Sequence, residues 1–188
     1  MNVQPQIRLA RPSDVFAYAT HVAKHLAASG RAGEIHYAPV ESVKRDEIVA
    51  NTDRRWRTSL DEPGWGRAWI VVEARAELPG PAEHVVGHLD LRNDGLPSRW
   101  HRATLAIGLD PEVRGKRIGE SLSVAALDWL RESTKVEIVD LGVFSHNHAA
   151  RALYTKLGFR EIGFVRDAFR LSDGARIDDI QMARVIQR

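Results

Sequence analysis

The stretch from residue 103 to residue 144 constrains the fold more than any other part of the chain. In residues 103–110, Leu105, Ile107 and Leu109 alternate with Thr104, Ala106 and Gly108, the period of a strand with one bulky and one small face. The strand ends at Asp110-Pro111 and feeds the loop Val113-Arg114-Gly115-Lys116-Arg117-Ile118-Gly119. Apolar residues then recur at helical spacing, as Ile118, Leu122, Ala125, Ala126 and Trp129, so a helix is expected over residues 117–132 and a strand over residues 136–144. A strand, a crossover helix and a second strand make one supersecondary unit, and the small face of its first strand leaves room beside it.

The rest of the chain is expected to build around that unit. Residues 7–11 read as a short strand, followed by a helix capped by Ser13 with Val15, Phe16, Ala19, Val22, Ala23 and Leu26 as its apolar face and Gly30 as its stop. A loop over residues 31–41 precedes a charged helix over residues 42–60, with Val43, Ile48, Val49 and Trp56 as core contacts. Residues 67–77 and 84–92 form a hairpin about a Pro/Gly turn at residues 78–83, and residues 93–100 form a loop. A helix over residues 147–157 stops at Gly158, and residues 159–171 and 175–186 close the chain as a hairpin around Ser172-Asp173-Gly174. The sum is about seven strands and four helices in one domain spanning residues 1–188.

Composition excludes several classes. With 44% hydrophobic and 28% charged residues the chain has ordinary globular proportions. There is no cysteine, which removes disulfides, thiolate metal sites and any Cys-acyl intermediate. The formal charge is only +2 with the signs interspersed, so nucleic acid is not an expected partner, and Arg54, Arg55 and Arg57 read as a solvated helix face. No run approaches the roughly 20 apolar residues of a membrane span, and no signal-peptide pattern opens the chain, which makes the expected location cytoplasmic.

The loop at residues 113–119 is an anion trap in chemical terms. The first turn of a helix has backbone N–H groups without internal partners and about half a positive charge, to which the loop adds Gly115, Lys116 and two arginines. Its glycine spacing fits neither a dinucleotide fingerprint nor a nucleotide-hydrolase loop. One strand later comes Asn147-His148-Ala149-Ala150-Arg151-Ala152-Leu153-Tyr154-Thr155-Lys156-Leu157-Gly158-Phe159.

Together the two segments resemble the Gcn5-related N-acetyltransferase (GNAT) superfamily. Its signature Arg/Gln-x-x-Gly-x-Gly/Ala falls on Arg114 to Gly119, and its Asn-x-x-Ala-x-x-Leu-Tyr-x-x-x-Gly-Phe pattern falls on Asn147 to Phe159. The resemblance covers the last 85 or so residues closely and implies an α/β fold, with a mixed, mostly antiparallel sheet of about seven strands and helices on both faces. It implies acetyl-CoA as acyl donor, bound where the central parallel strands part. The backbone of Ile107, Gly108 and Leu109 would pair with the pantetheine arm. Amides from Gly115, Lys116, Arg117, Ile118, Gly119 and Glu120, beside Arg114, would hold the pyrophosphate, and Asn147 would touch the cofactor. Tyr154 would stand near the sulfur, where a phenol of pKa about 10 can protonate the departing thiolate.

Two positions depart from the pattern. Arg117 stands at the signature's first glycine, so its side chain must point outward. Gly142 stands where the ribosomal-protein N-terminal acetyltransferases of the superfamily carry a glutamate base, so that machinery is not carried over. The expected reaction is direct transfer to a primary amine of a small molecule, with Leu109 N–H on the oxyanion and Tyr154 as general acid. A protein N-terminus or lysine as acceptor, and a non-catalytic CoA sensor, remain as alternatives.

The amine must lose a proton before it attacks, and His88, Asp90, His101 and Asp140 are the candidate bases. His146 and His148 lack metal-ligand spacing and no His-Glu-x-x-His occurs, so no metal is expected. Trp65 and Trp69 are the aromatic residues expected to wall an acceptor pocket, with residues 31–66 and 93–100 shaping its specificity. Edge strands could pair two copies, so a homodimer is allowed, although nothing in the sequence selects it.

Overall fold

A computed structural model describes residues 5–29, 42–74, 83–171 and 173–187. Seven strands, β1 (Gln6–Leu9), β2 (Gly66–Ala74), β3 (Glu83–Asn93), β4 (Arg102–Leu109), β5 (Ile138–Phe144), β6 (Arg160–Arg170) and β7 (Arg176–Val185), form one sheet in the order β1-β2-β3-β4-β5-β7-β6. Among neighbouring strands only β4 and β5 run parallel, joined by a crossover through α3; all other neighbours are antiparallel. Helices α3 (Ile118–Ser133) and α4 (His148–Lys156) contribute to a core on one face, and α1 (Val15–Ala28) and α2 (Arg45–Arg57) cover the other. The expected mixed sheet with helices on both faces is therefore present. No helix among the described residues is long and apolar enough to cross a membrane.

The larger core joins Leu89 and Leu91 of β3, Leu105 of β4, and Val139 and Leu141 of β5 to Leu122, Ala126, Leu127 and Leu130 of α3. Helix α3 forms because Ile118, Leu122, Ala126 and Leu130 repeat at i, i+4 and place one apolar stripe against the sheet. Leu122 and Leu130 are fully buried, so truncating either to alanine would cost about 2–5 kcal/mol. This packing anchors the helix whose first turn borders the site.

Several expectations are corrected. Ser13 lies in a short 3-10 turn and does not cap α1; Asp14 instead turns back to accept from the Arg11 N–H at 2.6 Å and pairs with Arg8. Helix α1 buries Ala19 of the predicted stripe, with Val22 packed beside it, but it also buries Tyr18, His21 and His25, and Phe16 faces outward beneath the Arg45 guanidinium. Periodicity counts histidine as a surface residue, whereas here polar partners wait for it across the interface. Helix α2 is shorter than expected, and Trp56 is its main packing aromatic, tilted on Tyr18 at 5.2 Å. Trp65 and Trp69 meet Trp129 edge-on at 6.1 and 5.3 Å inside the core, so they line neither the cleft between β4 and β5 nor the cavity between the sheet, α1 and α2. Gly30, the loop at residues 31–41, most of the turn at residues 78–83 and Ser172 lie outside the described residues.

Candidate active site

Strands β4 and β5 pair only at Arg102↔Ile138, Ala103↔Val139 and Thr104↔Asp140, and beyond that register they part. A cleft of about 580 Å³ opens in the gap. The N–H of Asp110 donates to the Val86 carbonyl on β3 at 2.9 Å, so alternation along the strand turns the N–H groups of Ile107 and Leu109 the other way, into the gap. The Leu109 carbonyl on that side accepts from Arg114 Nε at 3.0 Å. A strand edge exposed in this way can pair with an extended amide-bearing ligand.

The gap leads to the head of α3. Gly115 and Arg117 both have positive φ, 73° and 61°, and the Arg117 carbonyl accepts the first helical hydrogen bond, from Ser121, at 3.0 Å. Arg117 thus takes the left-handed conformation that a glycine would adopt at no cost, against about 1–2 kcal/mol for a residue with Cβ. Its side chain is exposed, as its position in the signature required. Arg114, Gly115, Arg117, Ile118, Gly119 and Glu120 line the cleft. Lys116 is exposed and is not among the lining residues, which separates it from the other expected contacts. The Glu120 carboxylate would oppose an anion, but Lys156 of α4 approaches it at 2.6 Å and offsets that charge.

Helix α4 borders the far side. Asn147 lines the cleft and caps the helix, its side-chain oxygen accepting the Ala150 N–H at 3.2 Å, which leaves its NH2 group to meet a ligand. Tyr154 lines the same cleft, is buried, and packs on Phe159 at 5.8 Å. Burial pushes its phenol well above the ordinary range, so it carries its proton throughout neutral and mildly alkaline pH.

Sequence reasoning missed Asp179. Two residues past the last β4–β5 pair, Ala106 and Gly142 face each other across the opening, and a Cβ at Gly142 would stand 3.0 Å from Asp179 Oδ2. The β7 carboxylate therefore occupies the space that Gly142 leaves free, and burial raises its pKa above the usual carboxylate range. No sequence period could pair these positions, because Asp179 reaches the site through the β5–β7 register.

Of the predicted bases, Asp140 is tied to Arg102 with Nε at 2.7 Å and His101 is exposed; neither lines the cleft. His88 and Asp90 lie on β3, opposite Gly108 and Ala106 of β4, and border a second cavity of about 790 Å³ between the sheet, α1 and α2. Asp90 accepts from Tyr18 Oη at 3.2 Å and pairs with Arg92 at 2.7 Å. Arg55, expected on a solvated face, lines this cavity too; burial and then the charge of Arg92 lower its pKa. Ala106 borders both spaces.

Behind the loop, His21, His25, His88 and Asp110 form a buried polar group. Burial, reinforced by the neighbouring His25, pushes His21 down to about 4, and burial likewise lowers His25 and His88, so the imidazoles are neutral at pH 7. Burial works to raise the Asp110 carboxyl, but the hydrogen bond and positive charge of Lys24 lower it, and Asp110 is ionised beside the neutral imidazoles.

The chain matches the Acetyltransferase (GNAT) family over residues 35–159 and belongs to it. It is accordingly an acetyltransferase with acetyl-CoA as acyl donor. Among its relatives, the L-amino acid N-acetyltransferase AaaT of Escherichia coli is 28% identical over 81% of this chain and 88% of its own. The N-alpha-acetyltransferase RimI of Mycobacterium tuberculosis is 30% identical over 55% of this chain and 69% of its own. The fold matches that of a GNAT phosphinothricin acetyltransferase from Sinorhizobium meliloti, solved in complex with AcCoA, with a TM-score of 0.76, 16% identity and coverage of 97% of this chain and 88% of that one.

Proposed function

We propose that the chain transfers acetyl from acetyl-CoA directly to the primary amine of a small molecule that also carries an anionic group. The parted β4–β5 edge carries this reading: it supplies unpaired strand N–H groups at Ile107 and Leu109 for a pantetheine arm, next to a helix N-terminus and Arg114 for a pyrophosphate. An arm running back along β4 from the phosphates reaches Leu109 first and Ile107 next. The oxyanion donor then shifts from Leu109 toward Ile107, nearer the thioester.

The acceptor enters through the second cavity and meets the thioester at Ala106, the residue common to both spaces. Arg55 and Arg92, two like charges close enough to oppose each other, favour a carboxylate in that cavity. The amine nitrogen bonds to the thioester carbon and its proton passes to Asp179, directly or through water. The C–S bond then breaks, its electron pair stays on sulfur, and Tyr154 protonates the thiolate. Solvent returns a proton to Tyr154 and takes one from Asp179. The amino-acid acceptor named for AaaT supports this class of substrate.

Thiol release on mixing with acetyl-CoA and a panel of amino acids, aminoglycosides, polyamines and peptides tests the reading. Small amino carboxylates are expected to turn over fastest. Faster release with peptide N-termini would transfer the function to protein substrates, and tight acetyl-CoA binding without release from any amine would leave a sensor. A second copy, if one pairs, would add at edge strand β6, where Ile162 and Phe164 are more than half exposed. Light scattering in solution decides that point.

A further inference from the structure

Three ligand-type atoms converge where α1 crosses the end of β4. His21 Nε2 stands 3.3 Å from His25 Nε2 and 3.3 Å from Asp110 Oδ1, and the third edge, His25 Nε2 to Asp110 Oδ1, is 3.2 Å. The triangle is close to equilateral. Atoms bound to a tetrahedral zinc ion at about 2.0–2.2 Å lie about 3.3–3.6 Å apart, so the three outline one face of such a coordination shell.

Hydrogen bonding alone accounts for the cluster poorly. One N–H can be shared between the two Nε2 atoms, but Asp110 Oδ1 is buried and receives no hydrogen bond among the described residues. A buried carboxylate oxygen in that condition is costly unless something else compensates its charge. Lys24 serves only the other oxygen, Oδ2, at 2.9 Å. His21 is meanwhile oriented from behind, as metal ligands are, its Nδ1 contacting His88 Nδ1 at 2.9 Å, and the backbone that carries Asp110 is fixed by its N–H to Val86. His21 and His25 sit one turn apart on α1, so their rings project from the same side of the helix.

We propose that His21, His25 and Asp110 bind one divalent transition-metal ion of the zinc type, with solvent at the fourth position. Two imidazoles and one carboxylate suit such an ion, whereas magnesium and calcium require more oxygen ligands than the site presents. The ion joins α1 to the last residue before the phosphate loop and so holds the start of that loop against the helix. The site stands on its own geometry and is independent of the acceptor chosen.

The test is equilibrium dialysis of chelator-treated protein against zinc chloride, followed by elemental analysis and calorimetry. The expected result is one zinc per chain. It should weaken by roughly 100-fold or more in Asp110→Asn and in His21→Gln/His25→Gln, since even a supporting partner is worth 10–100-fold, and it should persist in His146→Ala/His148→Ala. Zinc should raise the melting temperature of the natural chain and not that of the ligand variants. Because a buried variant can misfold, nitrogen-15 spectra of the natural chain provide a second reading, in which the Nε2 signals of His21 and His25 shift at one equivalent. Unmoved signals, no stoichiometric zinc, or binding lost only with His146 and His148 would each overturn the proposal.

Discussion

The cleft between β4 and β5 and the second cavity flank the same strand, yet they are assembled differently. The cleft takes most of its chemistry from backbone: strand N–H groups at Ile107 and Leu109, the first turn of α3, and a loop held by two left-handed residues. The second cavity takes its chemistry from side chains brought by three separate elements, Tyr18 from α1, Arg55 from α2, and His88 and Asp90 from β3. A backbone site depends on local geometry, which a short motif can specify. A side-chain site depends on the packing of distant elements, so its substitutions should act on the acceptor while leaving the cofactor nearly untouched.

The largest effect expected from this contrast is at the phosphate loop. Reversing both charges in Arg114→Glu/Arg117→Glu should weaken acetyl-CoA binding by at least about 100-fold, given about 1.5–3 kcal/mol for each charged hydrogen bond. Calorimetry with acetyl-CoA measures it, and unchanged affinity would break the assignment of this bend to the diphosphate. Next comes Tyr154→Phe, which should lower kcat by about 10²–10³ while acetyl-CoA affinity stays the same. Since the phenol is held above its ordinary pKa, its ionisation should not cause any fall of rate on the alkaline side up to about pH 10.

Asp179→Asn should cost somewhat less, about 10²-fold in kcat/KM, because water can partly replace a base. The sign of its pH dependence follows from the raised pKa: the carboxylate accepts a proton only above that pKa, so the acid limb in the natural enzyme should sit above the ordinary value of about 4 and vanish in the variant. A limb that survives the substitution assigns it to another group. Arg55→Met should raise the acceptor KM by roughly 10- to 100-fold without changing acetyl-CoA affinity, and would break the comparison if both moved together. Smallest is Lys116→Ala, whose exposed ammonium should change acetyl-CoA affinity less than about fivefold.

Much of the fold was legible because its signals are local. The i, i+4 stripe of α3, the alternation of β4 and the glycine-marked end of α4 are each set within one element, and each appears where the pattern put it. Ten of the residues expected to touch the cofactor, together with Tyr154, border one cleft; Lys116 does not. Trp65 and Trp69 were misjudged because their neighbouring turn says nothing of the sheet face they occupy, and that face meets Trp129. His21 and His25 were overlooked although their one-turn spacing is a readable signal, because the third member of the cluster, Asp110, arrives from another element.

By itself the sequence determined the strand, cationic bend and helix proposed to hold the diphosphate, together with the tyrosine one strand later, because each depends on dihedral preferences and periodicity within a few residues. Only the tertiary structure decided that β4 and β5 part beyond Thr104 and Asp140, that Asp179 fills the space in front of Gly142, and that two histidines of α1 close on Asp110. Those placements follow from sheet register and helix packing, where positions far apart in the chain become neighbours through the burial of a shared core.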